Sequence, residues 1–264
     1  MKEHKVKIIV PITGADEETI MKEAKAIAET EADCVEWRVD LAKELCNVGI
    51  SFMSDEPLVD MYSDNIEEIL KRLSRILKGK ELLLTIRTEF QGGEFPYNPQ
   101  VYERLVCDAI KSGFLSMVDL EDSTEKDVFE RIMKLAKESD VKTVVSYHDF
   151  SRTPKVDVIL EKFRSIRSTG ADIIKTAYWP LDPEDVAAVL LATAKFKEED
   201  EGQHEMITMS MGNLGRVSRV SGGVFGSDYT FATVGETSAP GQMPIEKVIE
   251  MMEVLNDNLE EEDW

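Results

Sequence analysis

Asp172-Ile173-Ile174-Lys175-Thr176-Ala177-Tyr178-Trp179 is a continuous apolar run with one lysine at its centre, closed off by Gly170 on one side and Pro180 on the other. Such a run reads as a strand covered on both faces, the kind found in parallel sheets flanked by helices. Helical patterns stand on either side of it, at Val156–Ser168 and Pro183–Lys197. Asp182 ahead of Pro183 has the form of an N-cap with proline at the first helical position, and Asp16 is a second candidate cap.

The same alternation extends along the chain. Strand candidates are Val6–Thr13, Cys34–Leu41, Leu82–Thr88, Phe114–Leu120, Thr143–His148, Ile173–Trp179, Met206–Met211 and Tyr229–Val234, eight in all. The remaining helical patterns are Glu17–Glu29, Ile66–Leu77, Pro99–Lys111, Glu125–Glu138, a short turn near Leu214–Val220, and Ile245–Leu255. Eight strand–helix units predict a parallel α/β sheet closed into a (β/α)8 TIM barrel, with residues 1–264 as a single catalytic domain. An open doubly wound sheet is the second reading, weakened because no Gly-x-Gly-x-x-Gly follows the first strand. Gly49–Asp60 reads as an extended loop.

The chain has 42% hydrophobic residues, enough for a sizeable core, and a formal net charge of −21. That charge weighs against nucleic acid and anionic membrane surfaces as partners, and much of it lies on helix faces and in the tail Asp257–Trp264. No segment reaches transmembrane length and no signal peptide is evident. Cys34, Cys46 and Cys107 lack metal-ligand spacing, so reduced thiols in a cytoplasmic protein are expected.

Chemistry in such a barrel sits at the carboxyl ends of the strands. A lysine desolvated within a strand can act as an amine nucleophile toward a carbonyl; the alternative is a lysine that snorkels to water or pairs with a carboxylate. Glu36, Arg38 and Asp40 share one face of the second strand, where Glu36 and Arg38 can supply each other as partners. Arg87 before Gly92-Gly93 has the look of a carboxylate- or phosphate-binding corner. Asp119 and Glu121 share a face of the fourth strand. His148 closes the fifth strand, as a general acid/base or as a core histidine; His4 and His204 fall in polar surroundings. Met209 and Met211 end the seventh strand and can wall a ligand pocket, with Arg219 beyond them. Gly235 to Gln242, which includes Ser238, has the composition of a closing lid or of an ordinary loop. An amine, an acid/base and arginines from separate strand ends together suggest a small keto acid handled through an imine.

Glu36-Trp37-Arg38-Val39-Asp40, Thr85-Ile86-Arg87-Thr88, Ser146-Tyr147-His148-Asp149-Phe150 and Ile174-Lys175 resemble the motifs of type I 3-dehydroquinate dehydratase. Thr208 to Gly212, Ser218-Arg219, Phe225-Gly226-Ser227, Thr230-Phe231 and Ser238 to Gln242 continue the resemblance in the same order, over residues 34 to 242. The resemblance implies a (β/α)8 barrel, usually a homodimer, that converts 3-dehydroquinate to 3-dehydroshikimate with no metal or diffusible cofactor. It implies that Lys175 forms a Schiff base with the C3 ketone and that His148 takes the C2 proton and later protonates the departing C1 hydroxyl. By the same comparison Arg219 holds the carboxylate, while Glu36, Arg38 and Arg87 line the hydroxyl and ketone side. Met209 and Met211 wall the pocket, and Ser238 and Gln242 close over it.

One position departs from the family pattern, which has glutamate where this chain has Gln91. An amide can hydrogen-bond His148 but cannot stabilise an imidazolium by charge, so the histidine pKa is expected to be lower. Asp119 is a candidate substitute carboxylate, as are Glu89 and Glu94 if their loop shifts. A class I aldolase and a binding-only paralogue are the competing readings. The Ser-Ala-Pro-Gly-Gln and Met-Ser-Met-Gly segments count against the first, and the intact Lys175 and His148 against the second.

Overall fold

The apolar runs form eight strands: β1 (Lys7–Ile12), β2 (Cys34–Arg38), β3 (Glu81–Thr85), β4 (Met117–Glu121), β5 (Lys142–Asp149), β6 (Ile173–Tyr178), β7 (Glu205–Ser210) and β8 (Tyr229–Phe231). They come from a computed structural model that describes residues 6–45, 56–235 and 239–256. The strands hydrogen-bond in the order β7-β6-β5-β4-β3-β2-β1-β8, and every pairing is parallel. Neighbours in the chain are therefore neighbours in the sheet, which curls round on itself as a (β/α)8 barrel. An open doubly wound sheet, which reverses direction at its middle strand, does not fit this order.

The two ends of the sheet meet at a seam between β7 and β8. There Asp228 N donates to Met206 O at 2.7 Å, and Met206 N donates to Asp228 Oδ2 at 2.5 Å. Thr208 N donates to Ser227 Oγ at 3.1 Å. Side chains thus take over acceptor positions that a longer eighth strand would have supplied from its backbone. At its other end β8 stops at Phe231, short of the expected Val234, because the chain leaves β1: Ala232 N still donates to Ile9 O at 3.0 Å, but Thr233 N donates to Met243 O at 2.9 Å, so these amides stay paired.

Eight helices alternate with the strands: α1 (Glu17–Ala28), α2 (Glu56–Ile76), α3 (Pro99–Lys111), α4 (Lys126–Glu138), α5 (Val156–Arg167), α6 (Pro183–Glu199), α7 (Arg216–Ser221) and α8 (Ile245–Asn256). Asp16 accepts from Thr19 N at 2.8 Å and Asp182 from Asp185 N at 3.0 Å, so both expected caps form. The largest departure from expectation is α2, which begins at Glu56 rather than near Ile66. The expected loop Gly49–Asp60 is helical from Glu56 onward, and residues 49–55 lie outside the described residues. Pro57 suits a helix's first turn, so it did not mark a break. No helix among the described residues is long and apolar enough to cross a membrane.

Alternation along the strands sorts side chains into two cores. Val10, Val35, Trp37, Leu82, Leu84, Val118 and Leu120 point outward and pack with the buried faces of the helices. Ile9, Cys34, Leu83, Met117, Val144, Ile173, Ile207 and Tyr229 point inward and fill the amino-terminal part of the barrel. Two residues further along β2 to β6 the same parity holds but the chemistry changes, to Glu36, Thr85, Asp119, Ser146 and Lys175, all buried, while β7 and β8 stay apolar with Met209 and Phe231. Another two residues on come Arg38, Arg87, Glu121 and His148. The barrel interior therefore passes from hydrocarbon to charge toward its carboxyl end.

Candidate active site

Lys175 stands in the middle of β6, 4% exposed, and does not snorkel to water. Its Nζ lies 2.8 Å from Asp119 Oδ2 and 3.4 Å from Glu36 Oε1, and 4.9 Å from the centroid of the Phe231 ring. A buried ammonium group needs such compensation. The carboxylates are themselves held: Asp119 Oδ1 accepts from Ser146 Oγ at 2.6 Å and pairs with Arg87 Nη2 at 2.9 Å, while Glu36 Oε1 accepts from Thr85 Oγ1 at 2.8 Å. Burial works to raise the Asp119 pKa, but Arg87 and then Lys175 overcome it and hold the carboxyl below its usual range.

Arg87 Nη1 also reaches Glu121 Oε1 at 3.0 Å and Ser146 Oγ at 2.9 Å. Its guanidinium is thus committed to the protein's own carboxylates, which corrects the expectation of an anion-binding corner there. Glu36 and Arg38 are not partners either. Arg38 forms a two-pronged pair with Asp40, Nε to Oδ1 at 2.8 Å and Nη2 to Oδ2 at 2.7 Å, because the chain turns into a 3-10 helix at Val39–Leu41 and brings Asp40 back beneath the guanidinium.

The Gly92-Gly93 pair serves His148 instead. Gly92 takes a left-handed φ of 79°, and a Cβ on Gly93 would stand 2.0 Å from the Arg87 carbonyl oxygen. The tight loop this permits presents Gln91 to β5. Gln91 Oε1 accepts from His148 N at 2.9 Å and lies 2.9 Å from His148 Nδ1. A carbonyl oxygen can only accept, so Nδ1 carries the hydrogen and Nε2 keeps its lone pair. His148 is half-buried, stacked at 18° on Phe150. Desolvation by the surrounding protein, then Arg87 and Lys175, hold its pKa well below the ordinary value of 6.5.

These groups line a cavity of about 150 Å³ at the carboxyl end of the barrel. Glu36, Arg38, Arg87, Gln91, His148 and Lys175 line it, together with Met209, Met211 and Arg219. Gln242 lines it from the loop after β8, beside Ala239 and Pro240; Ser238 lies outside the described residues. Asp119 sits one layer below, touching Lys175 without lining the cavity. Arg219 is 2% exposed, with Nη1 3.3 Å from Met209 Sδ and Nη2 donating to Pro240 O at 3.1 Å. Its Nε has no partner and no carboxylate among the described residues pairs with it. Burial alone brings its pKa down to about 10. A buried guanidinium left this way is a place for an anion.

A family model described as type I 3-dehydroquinase matches residues 8–258. The chain belongs to this family. Among its relatives, the 3-dehydroquinate dehydratase of Escherichia coli O17:K52:H18 is 36% identical over 250 residues, 95% of this chain and 93% of that protein. The catabolic 3-dehydroquinate dehydratase of Acinetobacter baylyi is 35% identical over 241 residues, 91% of this chain and 82% of that one. The crystal structure of 3-dehydroquinate dehydratase from Geobacillus kaustophilus superimposes with a TM-score of 0.87 at 31% identity, covering 97% of this chain and 93% of that one.

As a type I 3-dehydroquinase the chain is a hydro-lyase of the shikimate pathway, removing water from 3-dehydroquinate to give 3-dehydroshikimate. The sequence gathers nearly all of the lining, but Phe231, 4.9 Å from the lysine nitrogen, appears there only as part of a motif, and the residue that backs Gln91 does not appear at all. Behind the glutamine stands Asp122, whose Oδ1 accepts from Gln91 Nε2 at 3.1 Å. The carboxylates suggested beforehand do not fill that place: Asp119 serves Lys175, Arg87 and Ser146, while Glu94 pairs with Lys43 at 3.3 Å on the surface. Glu89 is exposed at the outer edge of the same loop.

Proposed function

We propose that the dehydration runs through an imine between Lys175 and the C3 ketone of 3-dehydroquinate, with His148 moving the protons. The observation that carries this is the position of Lys175 Nζ, buried between Asp119 and Glu36 and facing the same cavity as His148. The Lys175 ammonium gives one proton to His148 Nε2, the freed amine adds to the carbonyl carbon, and the proton returns to the carbinolamine oxygen, which departs as water and leaves a protonated imine. The iminium carries the same unit of positive charge in the place the ammonium held. Asp119 and Glu36 therefore already compensate it, and no new charge has to be buried.

His148 Nε2 then takes the C2 proton, and the electron pair moves into the iminium to give an enamine. The resulting imidazolium returns its proton to the C1 hydroxyl, which leaves as water. Attack of a second water on the conjugated iminium frees Lys175 and the product, so one water is lost in all. Arg219 anchors the substrate carboxylate, and Met209 and Met211 exclude solvent from the ring. Arg38, Arg87 and Glu36 bound the hydroxyl and ketone side. Gln242 borders the ligand from the loop after β8, where Pro240 accepts from Gly212 N at 3.1 Å, and the family resemblance gives Ser238 a part in the same closure.

The barrel is taken as a single catalytic domain. Family resemblance supports a homodimer, the net charge of −21 weighs against nucleic acid as a partner, and cysteines without metal-ligand spacing fit a cytoplasmic protein. Borohydride reduction with 3-dehydroquinate, followed by mass mapping, tests the mechanism. A reduced adduct on Lys175 is expected; turnover without any such adduct would overturn the imine reading.

A further inference from the structure

The Gln91–His148 contact depends on a choice that Gln91 cannot make alone. A glutamine amide can turn over by half a revolution and exchange its donor for its acceptor at no cost in size. Turned over, it would set its NH2 against the His148 backbone N–H, and that contact would favour a lone pair on Nδ1, placing the ring hydrogen on Nε2. The base would then point the wrong atom at the cavity.

Three observations bear on what prevents this. Gln91 Nε2 lies 3.1 Å from Asp122 Oδ1 and 3.2 Å from Ser123 Oγ. Ser123 Oγ in turn reaches Glu121 Oε2 at 3.4 Å, so the hydroxyl gives its hydrogen there and accepts from Gln91. Asp122 Oδ2 is held by Lys162 Nζ from α5 at 2.6 Å, and that lysine also lies 4.1 Å over the Tyr147 ring. An ionised carboxylate only accepts, so a turned Gln91 would oppose oxygen to oxygen at Asp122 as well as N–H to N–H at His148.

We propose that Asp122 is a positioning residue for the catalytic base: it locks Gln91 with its carbonyl toward His148, so that Nε2 presents its lone pair to the substrate. This rests on the reading of His148 as the base. The charges that act most strongly on the ring are Arg87 from the end of β3, Lys175 from β6, Asp119 from β4 and Arg38 from the end of β2. Three of the four are cations and oppose an imidazolium, so the resting ring is neutral and its single hydrogen has to be placed. The family's glutamate needs no such lock, because a carboxylate has no donor end. The lock belongs to the amide this chain carries.

Asp122→Ala and Asp122→Asn, each made in the native chain and in Gln91→Glu, test the assignment. Asp122→Ala should lower kcat about tenfold with KM within about twofold, a fraction of the 10²- to 10⁴-fold worth of a general base. Ring ¹⁵N shifts of His148 should change from the Nδ1–H pattern to a mixture. Asp122→Asn should lose about as much as Asp122→Ala, because Lys162 draws the amide oxygen to its own side and leaves the NH2 toward Gln91. With Gln91→Glu present, removing Asp122 should bring no further fall, since two carboxylates there repel. Unchanged kcat and ¹⁵N pattern in Asp122→Ala, or an equal loss in both backgrounds, would overturn the proposal. The Lys175 borohydride adduct should form in every variant; its absence from the native chain would instead count against the imine mechanism.

Discussion

Lys175 Nζ and Asp119 Oδ2 stand 2.8 Å apart inside the barrel, an ion pair whose lysine exposes 4% of its surface. Buried pairs seldom add net stability over hydrocarbon of the same shape, so their presence calls for another reason. The proposed mechanism supplies a chemical one, because the carboxylate that neutralises the ammonium would also neutralise the iminium that replaces it. Lys175→Met, which keeps the volume and loses the amine, should abolish the borohydride adduct and cut kcat on the order of 10⁴-fold or more. A variant retaining a tenth of native turnover would exclude the lysine as nucleophile.

Asp119 also links stability to pH. Its folded-state pKa is depressed below the ordinary value of 3.8 by Arg87 and Lys175, against the opposing effect of burial. The ionised form thus contributes stability above pH 3.8, and that contribution is lost as pH falls through the lowered folded value. Asp119→Asn should cost about 3 kcal/mol in urea titrations at pH 7. The gap between variant and native protein should narrow as the pH is taken below 3.8. A gap independent of pH would show that the charge is not what stabilises.

In the proposed mechanism His148 acts as a neutral base, and desolvation with Arg87 and Lys175 keeps it neutral below the ordinary 6.5. The acid limb of kcat/KM is therefore expected at a pH lower than an unperturbed histidine gives. Gln91→Glu puts a carboxylate against Nδ1–H, favours the imidazolium and moves that limb to higher pH. Profiles of the two proteins measured side by side decide it, and coincident limbs would exclude control by residue 91. His148→Ala should lower kcat by about 10²- to 10⁴-fold.

Arg219 has an unpartnered Nε and a pKa brought down to about 10 by burial. Binding a carboxylate would satisfy the nitrogen and restore the charge compensation. Arg219→Met should raise KM about 10- to 100-fold, the worth of one charge-assisted hydrogen-bonded contact. An amide analogue of the substrate should bind the native protein weakly and be nearly indifferent to the substitution. Equal losses for acid and amide would remove the anchor role.

How much of this was legible in the chain varies from residue to residue. Glu36, Arg38, Asp119, Glu121, His148 and Lys175 could be gathered because a strand's period of two is visible in the letters, and a barrel turns parity into a shared interior. Which charge meets which was not legible. Glu36 and Arg38 share a face yet separate, one to Thr85 and Lys175 and the other to Asp40, because the 3-10 turn at Val39–Leu41 bends the chain after the strand. Asp122 gave no signal, since it is one acidic residue among many in a chain with 52 Asp and Glu.

Local pattern decided the barrel, its eight units and the set of polar side chains at the strand ends, because alternation and capping act over a few residues and are written in their order. The motifs added the family and the lysine chemistry. Only the folded chain decided that Arg87 is spent on Asp119 and Glu121 while Arg219 Nε is left without a partner, and that Gln91 turns its oxygen to His148 and its nitrogen to Asp122. Those outcomes depend on distances between residues 31 to 59 positions apart, Gln91 to Asp122 and Arg87 to Ser146 among them. Hydrogen bonding and charge compensation are settled within about 3 Å, a scale at which only the closed barrel brings such residues together.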